Sequence, residues 1–577
     1  MMHKQYDTIV LGAGIAGTTL ATILAKNGHR VLMLEKESHP RFAIGESLVF
    51  RGALWLWLLG QQYDIPEITN LSHIDTLAEH VSPGCGFKLT FGFLYHREGQ
   101  EQNPRESNKI IPPIVHFISD SHLYRQDVDH YMVKAAQKYG AAYRDRVTVT
   151  NIDTDDDGVT VEISTGEQFS ARFLVDGTGY RSPLARRVDP AGIKTQSRAI
   201  FTHMKNVPAY DDIAPGGTPP AAKMSATWHG GTLHHVFDGG WMWMIPFDNH
   251  DQTSSNLCSV GLMLDPRRFP VDEALTPQEE FEAIVARFPT IARQLQGATP
   301  ARPFVRTGRI QYSAESSLGP RHFLLHHAHS FIDPLYSRGM IRAWETVYAL
   351  SSRLLAALHD DDFTPERFAY LDTMQAFQFR RTDQLVSNAY RSMPNFQMWN
   401  AWLHLWMGNE LLTALYLWRR ALKYMQSGDK AYLAGLDESP KPCMGAPFAP
   451  GVQVLYDRCE SLLDRVDAGE ISYEAAADAL LAALKQADFL PHVAFDFGSG
   501  AATHADFVPQ TTIAKILLWG KLRAPEAMRR EVFDLPLRTV MKVEVGARWR
   551  PLRRRWNEAL RLAPPRELAA AASSAES

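Results

Sequence analysis

The chain has 577 residues, 45% of them apolar and 21% charged, with 60 Lys and Arg against 64 Asp and Glu for a net charge of −4. This composition excludes a mainly disordered chain, a collagen-like chain and a coiled coil, and its charge gives no reason to expect nucleic acid as a partner. At about 150 residues per domain, with α/β enzymes running larger, the length predicts two or three domains.

Tyr6 to Leu11 reads as a short buried strand, followed at once by Gly12-Ala13-Gly14-Ile15-Ala16-Gly17. Thr18 to Asn27 reads as a helix stopped by Gly28, and His29 to Leu34 as a second strand ending at Glu35. The apolar stretch Ile9 to Ala25 has Asp7 ahead of it, three glycines within it and no cleavage site, so it does not read as a signal peptide. No run of 18 apolar residues predicts a membrane span. The cysteines Cys85, Cys258, Cys443 and Cys459 form no CxxC pair, which predicts free thiols, a reducing (cytoplasmic) setting and no zinc or dithiol centre.

Arg125 to Tyr139 has helical spacing, and Val147 to Ile152 and Val159 to Ile163 alternate as strands around Asp155-Asp156-Asp157-Gly158. Phe173 to Val175 reads as a short buried strand leading into Asp176-Gly177-Thr178-Gly179. Residues 200 to 265 look strand-rich, and 271 to 299 helical. Phe323 to Leu325 reads as a last buried strand, and Ile341 to Leu358 as a helix. From about 365 helical patterns dominate, with a dense aromatic run from Phe377 to Tyr424.

The expected fold is therefore α/β (α+β overall). A Rossmann-like dinucleotide domain comes from residues 1–50, 120–185 and 305–360, and a mixed-sheet substrate domain from 51–119 and 190–300. A helical C-terminal domain follows over 366–577.

Gly12, Gly14 and Gly17 fit GxGxxG between a strand and a helix. The first permits the tight turn, the second lets backbone approach a pyrophosphate, and the third lets helix and strand pack closely. The helix N-terminus, with Ile15 and Ala16, then faces the phosphates. Glu35, followed by Lys36, stands where a carboxylate would accept from a ribose hydroxyl.

FAD and NAD share this fingerprint. Arg41 with Gly45-Glu46-Ser47, Tyr124-Arg125-Gln126 and Asp176-Gly177-Thr178-Gly179 resemble, in order, the flavin contacts of class A flavoprotein monooxygenases. In that resemblance Arg41, Glu46, Ser47, Arg125, Asp176, Gly177 and Gly179 bind cofactor. No second GxGxxG offers a nicotinamide site, so reduced FAD is expected from a separate, transiently bound flavin reductase.

Trp241-Met242-Trp243-Met244-Ile245-Pro246 matches WxWxIP, and Phe331-Ile332-Asp333-Pro334-Leu335-Tyr336-Ser337-Arg338-Gly339 resembles FxDPxxSxG. Gly86-Phe87-Lys88 resembles a catalytic-lysine stretch. Together these resemble the flavin-dependent halogenases over roughly residues 5 to 360. The resemblance implies an enzyme that uses reduced FAD, O2 and chloride or bromide to make hypohalous acid. Lys88 would relay it, the backbone amides of Arg338 and Gly339 would hold the halide, and Pro334 would border the flavin. Trp241, Trp243, Ile245 and Pro246 would wall the flavin from the organic substrate. Read alone, two tryptophans on one strand face are as readily plain core, and a lysine is more often a surface group.

Tyr336 stands where tryptophan halogenases place a glutamate, which implies a phenol, pyrrole or carrier-bound acceptor. Where the family has Gly-Asp-Ala-Ala, this chain has His326-His327-Ala328-His329. His327 takes the ribityl-contact place. No carboxylate or cysteine is spaced to make the histidines a metal site.

The tryptophans Trp399, Trp402, Trp406 and Trp418 predict either a helical core or a cover over substrate. Arg548 to Trp556 is basic, which suits a solvated face, an acidic carrier protein or a membrane surface. Two rival functions stay open. One is a flavin monooxygenase or reductase of the same fold, and the other a silent flavoprotein-like binding module.

Overall fold

The computed structural model describes residues 5–535 apart from 114, 116, 215–223, 252, 438–447 and 509. Cys443 and the basic stretch Arg548 to Trp556 lie outside the described residues.

Four apolar residues in a row at Val31–Leu34, and Ile9 to Leu11 just before the glycine turn, read as strands buried on both faces. They lie at the centre of an eight-stranded sheet. Its parallel core runs His322–Leu324, Gln168–Asp176, Tyr6–Leu11, Val31–Leu34, Ala142–Arg144. Val149–Asp155 and Gly158–Ile163 extend it antiparallel from Gln168–Asp176. The strand expected at Phe173 to Val175 is thus nine residues long, because its polar first half pairs outward. The helix Ile15–Lys26 packs between this sheet and the helices Arg125–Lys138 and Arg338–Asp360.

A nine-stranded sheet forms the second layer. Its order is Thr299–Pro300, Arg198–Lys205, Leu257–Leu264, Gly240–Pro246, Thr232–Phe237, Phe91–Tyr95, Ser107–Ile111, His504–Asp506, with Val305–Arg309 also pairing antiparallel to Arg198–Lys205. Alternation along Gly240–Pro246 separates two cores. Trp241, Trp243 and Ile245 face the main one, and Met242 and Met244 face a smaller one with Phe237, Phe281 and Phe288.

Residues 51–80 differ from the expected sheet-rich segment. They form the helices Phe50–Gln62, Pro66–Thr69 and Ile74–His80. Phe50–Gln62 is buried nearly all round, so no amphipathic stripe marks it as a helix.

Beyond 365, the helices Pro365–Ser392 and Phe396–Ser427 share one continuous core with the sheets. The region is not wholly helical. His504–Asp506 pairs in parallel with Ser107–Ile111 and ends the second sheet.

Candidate active site

A three-stranded sheet, separate from the two large ones, assembles the site. Ser47–Leu48 and Gly86–Phe87 both pair antiparallel with Ser121–His122. This register brings Ser47, Lys88 and Asp120 together from three distant stretches. Gly86 is needed for close approach, since a Cβ there would lie 2.3 Å from the Pro246 carbonyl oxygen. The lysine stretch therefore packs directly on the end of the Trp241–Pro246 strand.

Lys88 is not a surface lysine; it is 1% exposed. Its Nζ donates to Ser47 Oγ at 2.7 Å and lies 4.3 Å from the Phe91 ring centre. Burial lowers its pKa to about 7, against a partial opposing pull from Asp120.

The polar chain behind it has a direction. The Pro246 carbonyl can only accept, so His122 Nδ1, 2.8 Å away, carries the proton. Burial and the Lys88 charge push the His122 pKa down to about 3, so the ring is neutral and Nε2 is an acceptor. Nε2 then accepts from Thr232 Oγ1 at 2.8 Å, and Thr232 accepts from Ser47 at 2.9 Å. Ser47 is left to accept from Lys88 and, at 3.3 Å, from Ser337. Lys88 is thereby fixed as a donor toward Ser47. As a free amine, its lone pair is not consumed by this network.

Ser337 belongs to the FxDP segment. Tyr336 (φ 67°) and Ser337 (φ 53°) are consecutive left-handed residues ahead of the helix Arg338–Asp360. Such residues cost on the order of 1–3 kcal/mol each and persist where the surroundings hold them. Here Tyr336 is 1% exposed, accepts from Trp402 Nε1 at 3.0 Å and stacks on Trp406 at 4.5 Å. The turn starts the helix at Arg338 and Gly339, whose amides have no intrahelical acceptor. Gly339 admits His327, whose Nε2 would sit 2.9 Å from a Cβ there.

The Arg338 side chain turns away from those amides and pairs with Glu410. Glu410 also lies 3.3 Å from Arg51, while Arg342 and Arg51 meet Glu345 at 2.6 and 4.0 Å. Burial pushes the Glu410 carboxyl up, and the charges of Arg51, Arg338 and Arg342 more than offset it, leaving its pKa low.

Asp333 is buried and accepts from Ser197 at 2.6 Å and Tyr390 at 3.0 Å. Tyr390 in turn accepts from Trp241 Nε1 at 3.2 Å. Trp243 Nε1 donates to Ser259 at 3.1 Å. The WxWxIP strand and the FxDP turn are therefore tied through a C-terminal helix.

An apolar cavity of about 140 Å³ is lined by Phe91, the ring that Lys88 Nζ approaches, though Lys88 is not itself among the lining residues. Phe50, Phe91, Asp120 and Tyr336 line it together with Trp406, Trp418, Ile513, Ile516 and Leu517 from the C-terminal region. Of the four C-terminal tryptophans, Trp399 and Trp402 are core, whereas Trp406 and Trp418 cover the cavity. Trp241 and Trp243 are not among the residues that line it.

The glycine turn fits a dinucleotide. Gly12 has φ +83°, and a Cβ on it would lie 2.8 Å from the Gly177 oxygen; one on Gly17 would lie 2.4 Å from the Gly12 oxygen. Gly14 caps the helix with no side-chain cap, leaving its first amides open toward a phosphate. Glu35 accepts from the Ala13 and Glu37 amides at 2.9 and 3.0 Å and from Arg41 at 3.2 Å. Asp176 spends its carboxylate on Thr178 and Ser182, bracing the second turn. Arg125 is held by Asp129 and the Ile44 and Gly45 carbonyls, with Glu46 paired to His203 beside it. Ser47, read in sequence with the cofactor contacts, is hydrogen-bonded to Lys88. Lys36, Ile15, Ala16 and Gly179 flank these turns in the chain, and Pro334 opens the turn that carries Tyr336 and Ser337. Gly12→Ala should lose at least tenfold in FAD affinity, measured by flavin fluorescence; unchanged affinity would show that the cradle tolerates a methyl group.

Sheet, glycine cradle and acidic residue define an FAD-dependent oxidoreductase, and the family model described as FAD dependent oxidoreductase matches residues 7–330. The buried lysine and the two tied motifs narrow the class. The chain belongs to the flavin-dependent halogenases and is an enzyme of that family.

It is 41% identical to the tetracycline 7-halogenase of Kitasatospora aureofaciens over 85% of this chain and 89% of that one. It is 37% identical to the monodechloroaminopyrrolnitrin halogenase PrnC of Pseudomonas fluorescens over 94% and 97%. It superposes on the crystal structure of the halogenase PltM in complex with phloroglucinol and FAD with a TM-score of 0.82 and 31% identity. That match covers 87% of this chain and 100% of the other. No described helix is long and apolar enough to cross a membrane. Among the described residues no group of three or more His, Cys, Asp and Glu could hold a metal, His326-His327-Ala328-His329 included.

Asp120, Thr232, His122 and Tyr390 were not singled out in the sequence. Their roles come from pairing between distant stretches of the chain, and no local spacing signals them.

Proposed function

We propose that the chain halogenates a free, electron-rich phenolic ring, with Lys88 as the group that carries the electrophilic halogen. The observation that carries this reading is the link Lys88–Ser47–Ser337. It joins a buried amine to the start of the helix whose Arg338 and Gly339 amides suit a halide. Bound FAD supplies the oxidising power from O2 that turns halide into hypohalous acid, and its reduced form comes from a separate reductase. In this reading the strand Gly240–Pro246 shields the oxidant, and the cavity itself is lined by other residues. A flavin monooxygenase of the same fold would have no use for a lysine buried at this cost.

Tyr336 acts as a wall. Its hydroxyl is occupied by Trp402, and burial pushes its pKa well above the usual phenol value, so it is no base. The cavity offers an aromatic slot, and the tetracycline 7-halogenase and the PltM complex both concern phenolic molecules. Free tryptophan should be a poor substrate.

The test combines the protein, a flavin reductase, NADH, FAD and bromide or chloride with a panel of phenols and tryptophan, read by mass spectrometry. Halogenated phenols with little halotryptophan are expected; hydroxylated products independent of halide would favour the monooxygenase. Turnover should also rise with pH through about 7. Below that value Lys88 is held as an ammonium, which has no lone pair for halogen. Each unit below it should cost about tenfold. A flat profile from pH 6 to 8 would remove Lys88's titration from the mechanism.

A further inference from the structure

A phenol becomes a strong nucleophile only as its hydroxyl proton leaves, so a site built for phenols needs a base at the cavity wall. We infer that Asp120 is that base: its carboxylate lines the aromatic cavity beside Lys88 and accepts the substrate's hydroxyl proton as the ring takes halogen. The inference rests on the phenolic reading above and names the residue that makes it work.

Asp120 is 5% exposed, and its Oδ1 has no hydrogen-bond partner. A buried carboxylate oxygen in that state costs several kcal/mol unless something meets it. Of the other ionisable groups on the described lining, Arg51 is a cation paired with Glu410, Glu410 is committed to Arg51 and Arg338, and the Tyr336 hydroxyl to Trp402. Asp120 is the remaining carboxylate on the described lining. Burial raises its pKa to about 7, with Lys88 and a backbone hydrogen bond from Phe50 opposing. That matches it to a proton leaving a phenol during reaction at neutral pH.

The step balances. A ring π pair forms the carbon–halogen bond, and the nitrogen–halogen bond pair returns to Lys88 Nζ. The hydroxyl O–H breaks and its proton passes to Asp120, leaving a neutral halocyclohexadienone. Asp120 then returns the proton to the lysine nitrogen, which needs one to become an amine again. Tautomerisation of the dienone, moving the ring C–H proton to oxygen, gives the halophenol.

The test compares a phenol with its O-methyl ether, which has no hydroxyl proton. Both meet the same Lys88 chemistry, so their kcat/KM ratio isolates the base. In the wild-type protein the phenol-to-ether ratio should exceed about 100 and should fall as pH drops below 7. In Asp120→Asn the ratio should fall at least tenfold. If phenol and ether lose activity equally in Asp120→Asn, the residue acts only through Lys88 and the assignment is overturned. The wild-type pH series needs no variant to fold, and a ratio constant from pH 6 to 8 would overturn the assignment too. A wild type that halogenates neither compound would instead overturn the phenolic reading itself, and this assignment with it.

Discussion

Lys88→Ala is expected to abolish halogenation, by at least about 10²-fold, while FAD still binds and reductase-supplied electrons still reach O2 and appear as peroxide. The amine is the group that the polar chain from His122 to Ser47 is oriented to hold, and the glycine turns at Gly12–Gly17 and Gly177–Gly179 share no residue with it. Three readouts separate the outcomes: product by mass spectrometry, bound flavin by absorbance, and peroxide by a coupled assay. A variant that halogenates within threefold of wild type would show that Lys88 carries no halogen. A variant that also loses its flavin would show a structural role instead. Lys88→Met fills the same apolar space without an amine. It should behave as Lys88→Ala does, and it guards against a cavity artefact.

Glu410→Ala should destabilise the fold by about 3–5 kcal/mol, the largest effect expected from a single change outside the core. Glu410 clamps Arg51 on the helix Phe50–Gln62 and Arg338 at the start of Arg338–Asp360, from the helix Phe396–Ser427. Arg338 is 2% exposed, and burial already lowers its pKa to about 10 despite Glu410. Removing the carboxylate leaves that guanidinium buried without its partner, and removing one partner of a buried pair costs far more than the pair contributes. Urea unfolding followed by tryptophan fluorescence measures the loss. Glu410→Gln, which keeps a hydrogen-bond acceptor, should lose less. A loss under 1 kcal/mol for Glu410→Ala would show that water or a neighbouring carboxylate replaces it.

The nucleotide half was legible because its signals are local. A strand, three glycines at fixed spacing, a helix and an acidic residue all fall within 35 residues, and each has a steric reason to be there. The strand Gly240–Pro246 was legible as a period of two. Phe50–Gln62 was not legible as a helix, because burial on every face removes the periodicity that would reveal it. The lysine's surroundings were only half legible. Aromatic neighbours were visible next to Lys88, but Ser47, Thr232 and His122 meet it through sheet register. The orphaned oxygen of Asp120 is a property of packing, and no reading of Ser119-Asp120-Ser121-His122 alone would yield it.

The cavity draws its lining from different stretches of gene. The part that bears the chemistry, with Phe91, Asp120 and Tyr336, is encoded before residue 340. The part with Trp406, Trp418, Ile513, Ile516 and Leu517 is encoded after residue 395. Selection can therefore act on them separately. Substitutions in the late stretch can reshape which ring enters, and which carbon faces the lysine, without touching the oxidant. The clamps through Tyr390 and Glu410 mark the limit of that freedom, because they bind the late helices to the FxDP turn and to Arg338. Lineages that diversify their acceptors are expected to vary most at positions 513, 516 and 517, where side chains meet the cavity and no described ion pair.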